Sequence, residues 1–261
     1  MLLLHGGPGG TDYLFKFFAK PLANAGWKAV SFIQRGSMGS PSEGPFVIQA
    51  FAEDVEAVRL HLGAERVGVL GHSWGGLLAA IYASQHPEYI ERLILVSPIG
   101  ARTGWRAEFN AEIRRRLAPD VREEYDHLKV QAQMAHSRED AAQYLLRRAN
   151  IAVTGYFSEK HRAGKPGLAF LEPHLHKSII EQLEGWYAEP SWEEGLRRLK
   201  CPATVIWGEE DPIPGWVPDG YRELLPNLEV HRIPECGHFP WMEEDEAFYA
   251  VLDRALKLGG A

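Results

Sequence analysis

Short apolar runs alternate along this chain with longer stretches of helical period, and few architectures accommodate that pattern. Residues 2–4, 27–33, 66–70, 93–96, 204–207 and 228–233 read as strands. Thr11 or Asp12 is placed to cap a helix running to about Ala25, with Pro21 bending or shortening it. Phe51, Val55, Val58 and Leu62 then recur at spacings of four, three and four, which is one apolar stripe on a helix. Residues 75–85 form a further helix rich in Gly and Ala, able to lie close against a sheet, and Phe248, Val251, Leu252 and Leu256 share one face of a last one. Strands separated by helices cross over and lie parallel rather than pairing as hairpins. The expected fold class is therefore α/β, a mostly parallel sheet with helices on both faces.

Between residues 100 and 190 the alternation stops. This stretch is helical in period, with Phe109, Ile113 and Leu117 on one stripe, and rich in charge. It is expected to be a helical insertion, leaving residues 1–99 and 191–261 as the core. Ligands of open parallel sheets bind beyond the carboxyl ends of the strands, so an insertion there acts as a lid. The first strand has almost nothing before it, so the strands that would flank the sheet at that end are expected to be missing, leaving an edge open to pairing.

A chain of 261 residues with 45% hydrophobic residues has enough apolar surface for one well-buried core plus an inserted sub-domain. Its formal charge of −7 argues against a nucleic-acid partner, and its clusters Arg114-Arg115-Arg116 and Arg197-Arg198 read as solvated helix faces. Two cysteines, Cys201 and Cys236, do not make a secreted disulfide framework. No apolar run approaches a membrane span, and the start lacks a charged leader. A reducing cytoplasm is the expected setting.

The segment Gly71-His72-Ser73-Trp74-Gly75-Gly76 follows a strand and opens a helix, the setting in which G-x-S-x-G carries meaning. A serine at such a turn is lifted above the sheet, next to helix N–H groups that favour negative charge, and the flanking glycines avoid clashes with neighbouring backbone. A serine hydroxyl is a weak nucleophile at neutral pH and needs a base that titrates near it, most naturally a histidine. His238, in Cys236-Gly237-His238-Phe239-Pro240 between a strand and the last helix, stands apart from the other histidines. His61 and His86 read as capping or surface residues, and His174 and His176 fall in the insertion. A carboxylate must in turn orient the histidine. Asp211, directly after the strand at 204–207, is best placed, with Glu209 and Glu210 as alternatives in the same loop. The oxyanion formed on acyl attack needs preorganised N–H donors: Trp74, just after the nucleophile, and Gly7, in the first loop.

With these residues in hand the chain resembles the α/β-hydrolase superfamily and, within it, the proline iminopeptidase group of serine peptidases. The resemblance rests on His5-Gly6-Gly7-Pro8-Gly9-Gly10, Gln34-Arg35-Gly36-Ser37-Met38-Gly39-Ser40, residues 71–76, residues 208–211 and Gly237-His238. It implies an α/β-hydrolase sheet, a helical cap formed by the insertion, no metal or organic cofactor, and a small-molecule or short-peptide substrate. The chain departs from that group's pattern in carrying Ile33 where an aspartate is usual and His72 where a glycine is usual. Members of the group hold a substrate's amino terminus on cap glutamates; here the Trp-Glu segment that supplies one is not found, and Glu159, Glu172 and Glu181 are candidates by location.

The expected chemistry is acyl-bond cleavage through a Ser73-His238-Asp211 triad and an acyl-enzyme, in the manner of a proline iminopeptidase-like aminopeptidase. A carboxylesterase or carbon–carbon bond hydrolase is the alternative, and a ligand-binding protein that keeps the fold without turnover is a third reading.

Overall fold

The computed structural model describes residues 1–41, 43–163 and 171–257. The expected boundaries 100–190 and 191–261 thus include residues 164–170 and 258–261, which lie outside the described residues.

The elements run β1 (Leu2–Leu4), α1 (Leu14–Asn24), β2 (Val30–Ser31), α2 (Ile48–His61), β3 (Val67–His72), α3 (Trp74–Gln85), a 3-10 turn at Pro87–Tyr89, and β4 (Ile90–Val96). Among the described residues six helices follow before the next strand: α4 (Trp105–Arg116), α5 (Pro119–Met134), α6 (Arg138–Thr154), α7 (Glu159–Arg162), α8 (Pro173–Tyr187) and α9 (Pro190–Arg197). The chain then returns through β5 (Ala203–Gly208), α10 (Val217–Arg222), β6 (Leu228–Ile233), α11 (Pro240–Glu243) and α12 (Asp245–Lys257).

The six strands form one sheet in the order β2-β1-β3-β4-β5-β6, and every neighbouring pair is parallel. Side chains alternate between its faces, as the strand period requires. Leu2, Leu4, Val69, Leu93, Leu95 and Val205 join a core with α2, α3 and α9 on one face. Leu3, Leu70, Ile94, Val96 and Ile206 join α1 and α12 on the other. After β2 the chain crosses back over β1 to lay down β3, so successive connections leave β1 and β3 in opposite directions. Such a reversal opens a crevice at the carboxyl ends of these two strands.

Several local expectations change. The second strand, expected over 27–33, is two residues long, because β1, its one ladder partner among the described residues, has three residues and pairs Leu2 with Val30 and Leu3 with Ser31. β1 itself is buried and paired on both sides, so the open edge falls on β2 instead. Neither Thr11 nor Asp12 caps α1; the preceding residue is Tyr13, which makes no side-chain cap bond, and the helix runs on through Pro21. The later strands lie where the pattern puts them, β6 to the residue.

Candidate active site

Three loops meet at the crevice, and each is brought in by a glycine that leaves no room for a side chain. A Cβ on Gly75 would lie 2.1 Å from the Leu4 carbonyl oxygen, and one on Gly71 would lie 2.0 Å from the Gly75 oxygen. The turn between β3 and α3 can therefore press against the end of β1 only with glycine at both positions. Gly6 brings the first loop in from the other side: its Cβ would fall 3.0 Å from Ser73 Cβ and 2.9 Å from His72 Nδ1. Gly208, ending β5, abuts the third loop, where a Cβ would lie 2.1 Å from the Gly237 oxygen. Ser73, Asp211 and His238 belong to these touching segments.

Ser73 sits at φ 56°, ψ −120°, a conformation that costs an L-residue about 1–3 kcal/mol and persists only where the surroundings enforce it. Here they do: its N–H donates to the Val96 carbonyl at 3.0 Å, and its carbonyl accepts from Gly76 and Ile99 at 3.0 and 3.2 Å. Trp74 is the first residue of α3, so its N–H is one of those without an intrahelical acceptor. Gly7, at φ +58°, has open space on its Cβ side.

His238 and Asp211 are buried together, with Nδ1 2.8 Å from Asp211 Oδ2. A carboxylate accepts, so Nδ1 carries the proton and the basic lone pair is on Nε2. The other carboxylate oxygen accepts from the Ile213 N–H at 2.8 Å, which fixes the orientation of Asp211. Of the two alternatives in that loop, Glu210 accepts instead from the Glu159 N–H and Glu209 is exposed.

Residues that the sequence did not single out hold the His238 loop. Buried Glu243 accepts from the N–H groups of Gly237, Phe239 and Ser158, clasping the loop on both sides of the histidine. The His238 N–H donates to the Tyr156 carbonyl at 2.9 Å, and the Tyr156 ring meets the imidazole edge-on at 5.1 Å between centroids. His72 Nε2 lies 2.9 Å from the His238 carbonyl, which only accepts. That nitrogen therefore carries the proton, and Nδ1 accepts from the Tyr13 hydroxyl at 2.7 Å. Burial and the neighbouring His238 hold the His72 pKa well below the ordinary value, against the pull of the carbonyl. His72 is therefore a neutral tie between the elbow and the histidine loop.

The three glutamates proposed for a substrate amine fall in different places. Glu172 lies against the glycine loop, its N–H donating to the Gly9 carbonyl at 2.9 Å, while its Oε2 caps α8 by accepting from the Leu175 N–H. Glu159 is exposed at the start of α7, and Glu181 is exposed on α8 with Lys177 3.9 Å away. His174 is half-buried on α8 and its Nε2 donates to the Arg138 carbonyl at 2.8 Å; His176, in the same helix, is depressed to about 4 by burial and by Arg106. Both cysteines are buried free thiols. Among the described residues no group of three or more His, Cys, Asp or Glu side chains could hold a metal ion, and no helix is long and apolar enough to cross a membrane.

Comparisons with known proteins agree with this architecture. The chain is 28% identical over 271 residues to a proline iminopeptidase of Lactobacillus delbrueckii subsp. bulgaricus, spanning 97% of this chain and 88% of the relative. Among solved structures it is similar to the proline iminopeptidase of Mycobacterium smegmatis, with a TM-score of 0.65, 23% identity and coverage of 98% and 88% of the two chains. It is also similar to a meta-cleavage product hydrolase of Pseudomonas fluorescens, with a TM-score of 0.65, 17% identity and coverage of 99% and 90%. Residues 1–245 match the family model of the alpha/beta hydrolase fold, the same span that carries all three loops of the crevice, and to that family this chain belongs.

Proposed function

We propose that the chain is a serine hydrolase that cleaves an acyl bond through Ser73, His238 and Asp211. The observation that carries this reading is the buried His238–Asp211 pair, whose bare Nε2 belongs to a loop tied to the elbow holding Ser73. His238 Nε2 takes the Ser73 proton as the hydroxyl oxygen attacks the substrate carbonyl. The N–H groups of Gly7 and Trp74 hold the resulting oxyanion. The imidazolium, stabilised by Asp211, then gives its proton to the leaving group, and water repeats the cycle to release the acid and free Ser73. Residues 100–190 act as the cap over this site.

The favoured substrate is a short peptide with a free amino terminus, cleaved by a proline iminopeptidase-like aminopeptidase. The identity with such enzymes over nearly the whole chain supports it. Glu172 is the carboxylate of the three that lies beside the glycine loop, and it is the candidate to hold the amine. A second reading, a carboxylesterase or carbon–carbon bond hydrolase, draws support from the exposure of Glu159 and Glu181 and from the engagement of Glu172 Oε2 as a helix cap.

Two measurements test this. A fluorophosphonate should add once to the intact protein, and Ser73→Ala should lose both that label and p-nitrophenyl acetate turnover while keeping its fold by circular dichroism. Undiminished hydrolysis in that variant removes Ser73 from the scheme. Cleavage of short aryl esters without any cleavage of a proline arylamide would favour the second reading over the peptidase.

A further inference from the structure

The segment Gln34-Arg35-Gly36-Ser37 contributes nothing to the steps above, yet Gln34 is 1% exposed and all its polar side-chain atoms are engaged. Its Nε2 donates to the His5 carbonyl at 2.9 Å, and its Oε1 accepts from the Trp74 indole N–H at 2.9 Å. The amide has only one possible orientation, because an indole N–H donates only and a carbonyl accepts only. The Gln34 backbone N–H adds a third link, donating to His5 Nε2 at 3.1 Å. That bond leaves the His5 proton on Nδ1, 3.1 Å from the Gly6 carbonyl. His5 and Trp74 are as buried as Gln34.

One side chain thus bridges two segments far apart in the chain. One is the loop after β1, in which Gly7 follows His5 by two residues; the other is the first residue of α3. These segments carry the two N–H groups assigned to the oxyanion. We propose that Gln34 is a positioning residue that sets the spacing between the Gly7 and Trp74 N–H donors. The proposal rests on the serine-hydrolase reading above. Neither donor gains strength from Gln34. What the strut supplies is preorganisation, since donors that must reorganise during the reaction stabilise an oxyanion less than donors already aimed at it.

Gln34→Leu keeps the apolar packing and removes both side-chain bonds; Gln34→Glu keeps the shape and the acceptor for Trp74 but loses the donor to His5. Active sites are first counted by fluorophosphonate titration, so that kcat is expressed per competent site and misfolded protein drops out. Gln34→Leu is expected to lower kcat for an aryl ester about tenfold to a hundredfold with KM within about twofold, and to weaken an aryl boronic acid by the same factor. A group that served only to hold the fold together would change the number of sites or the melting temperature and leave kcat per site alone. Gln34→Glu supplies an independent readout: its carboxyl regains a donor when protonated, so its kcat relative to wild type should rise as pH is lowered from about 8 to about 5.5. Unchanged kcat per site in the Leu variant overturns the proposal, and so does a pH-independent ratio in the Glu variant. If the wild-type protein takes no fluorophosphonate at Ser73, the serine-hydrolase reading itself fails and the strut falls with it.

Discussion

Helices α3 and α5 are of similar length, 12 and 16 residues, but they are held by different physics. In α3 every residue from Trp74 to Ser84 is buried, and its backbone is in contact with backbone on either side. Gly75 meets β1, and a Cβ on Gly195 of α9 would lie 2.0 Å from the Ser84 carbonyl oxygen. In α5 only Tyr125 and Leu128 are buried. It is also attached by surface ion pairs, Arg114 with Asp126 and Arg147 with Glu124, by Arg122 donating to the Arg114, Arg115 and Leu117 carbonyls, and by the Arg148 guanidinium stacked 3.9 Å over the Tyr125 ring. Backbone-to-backbone packing tolerates no side-chain change and little movement. Exposed ion pairs tolerate both, because water and salt screen them. Ser73, proposed as the nucleophile, adjoins the first region, and the second lies in the stretch proposed as a cap. The boundary between the regions runs through α8, whose Leu175, Ile179, Ile180 and Leu183 pack into the main core with α2 and α3 although it lies between β4 and β5 in the chain.

The sharpest way to break this contrast is Gly75→Ala. The added methyl would meet the Leu4 and His5 carbonyl oxygens at 2.1 and 2.6 Å, so the elbow must move. A loss of about 3 kcal/mol or more in urea unfolding is expected, together with loss of fluorophosphonate labelling. A variant that kept both its midpoint and its labelling would show the elbow to be adjustable after all.

Acid should act on the first region next. Burial depresses His5 to about 4, and His72 is held well below its ordinary value. The folded-state pKa lies below the unfolded one, so between about 6.5 and about 4 the unfolded chain binds protons that the folded chain refuses. Stability is complete above about 6.5 and falls as pH falls through that window. Comparing urea midpoints at pH about 7 and about 5 reads these imidazoles together with His176 and the buried Met1 amino group, which are depressed in the same way, because most carboxylates titrate lower. A midpoint that stayed level between those two pH values would contradict their burial.

The smallest effect belongs to the second region. Arg114→Ala and Arg147→Ala each remove an exposed pair on α5 and should shift stability by no more than about 0.5 kcal/mol, with an even smaller shift in high salt. A loss several times larger in thermal or urea unfolding would mean that these pairs, rather than the small cluster of Ile113, Leu117, Tyr125 and Ala152, hold the helices α4–α6 together.

Much of the architecture was legible in the order of the residues because it follows from local rules. Apolar alternation places the parallel strands, and a serine between two glycines after a strand announces a turn that no bulkier residues could make. The same rules failed where an element's length depends on its neighbour. β2 ends after two residues because β1 offers no more ladder, and α1 starts without a side-chain cap while Tyr13 turns its hydroxyl to His72, 59 positions away.

Spacing and chemistry were enough to nominate Ser73, Asp211 and His238, since a nucleophile, a base and an orienting acid are recognisable residue types at strand ends. What spacing could not reveal is what ties their loops to one another. His72 reaches a carbonyl 166 positions away, Gln34 an indole 40 positions away, and Glu243 gathers N–H groups from two separate segments. Such contacts carry no periodic signature, because they are made between side chains and backbone atoms that become neighbours only when the sheet has closed. A lone Gln or Glu looks the same in sequence whether water or a buried amide satisfies it, and the folded chain is where that choice is made.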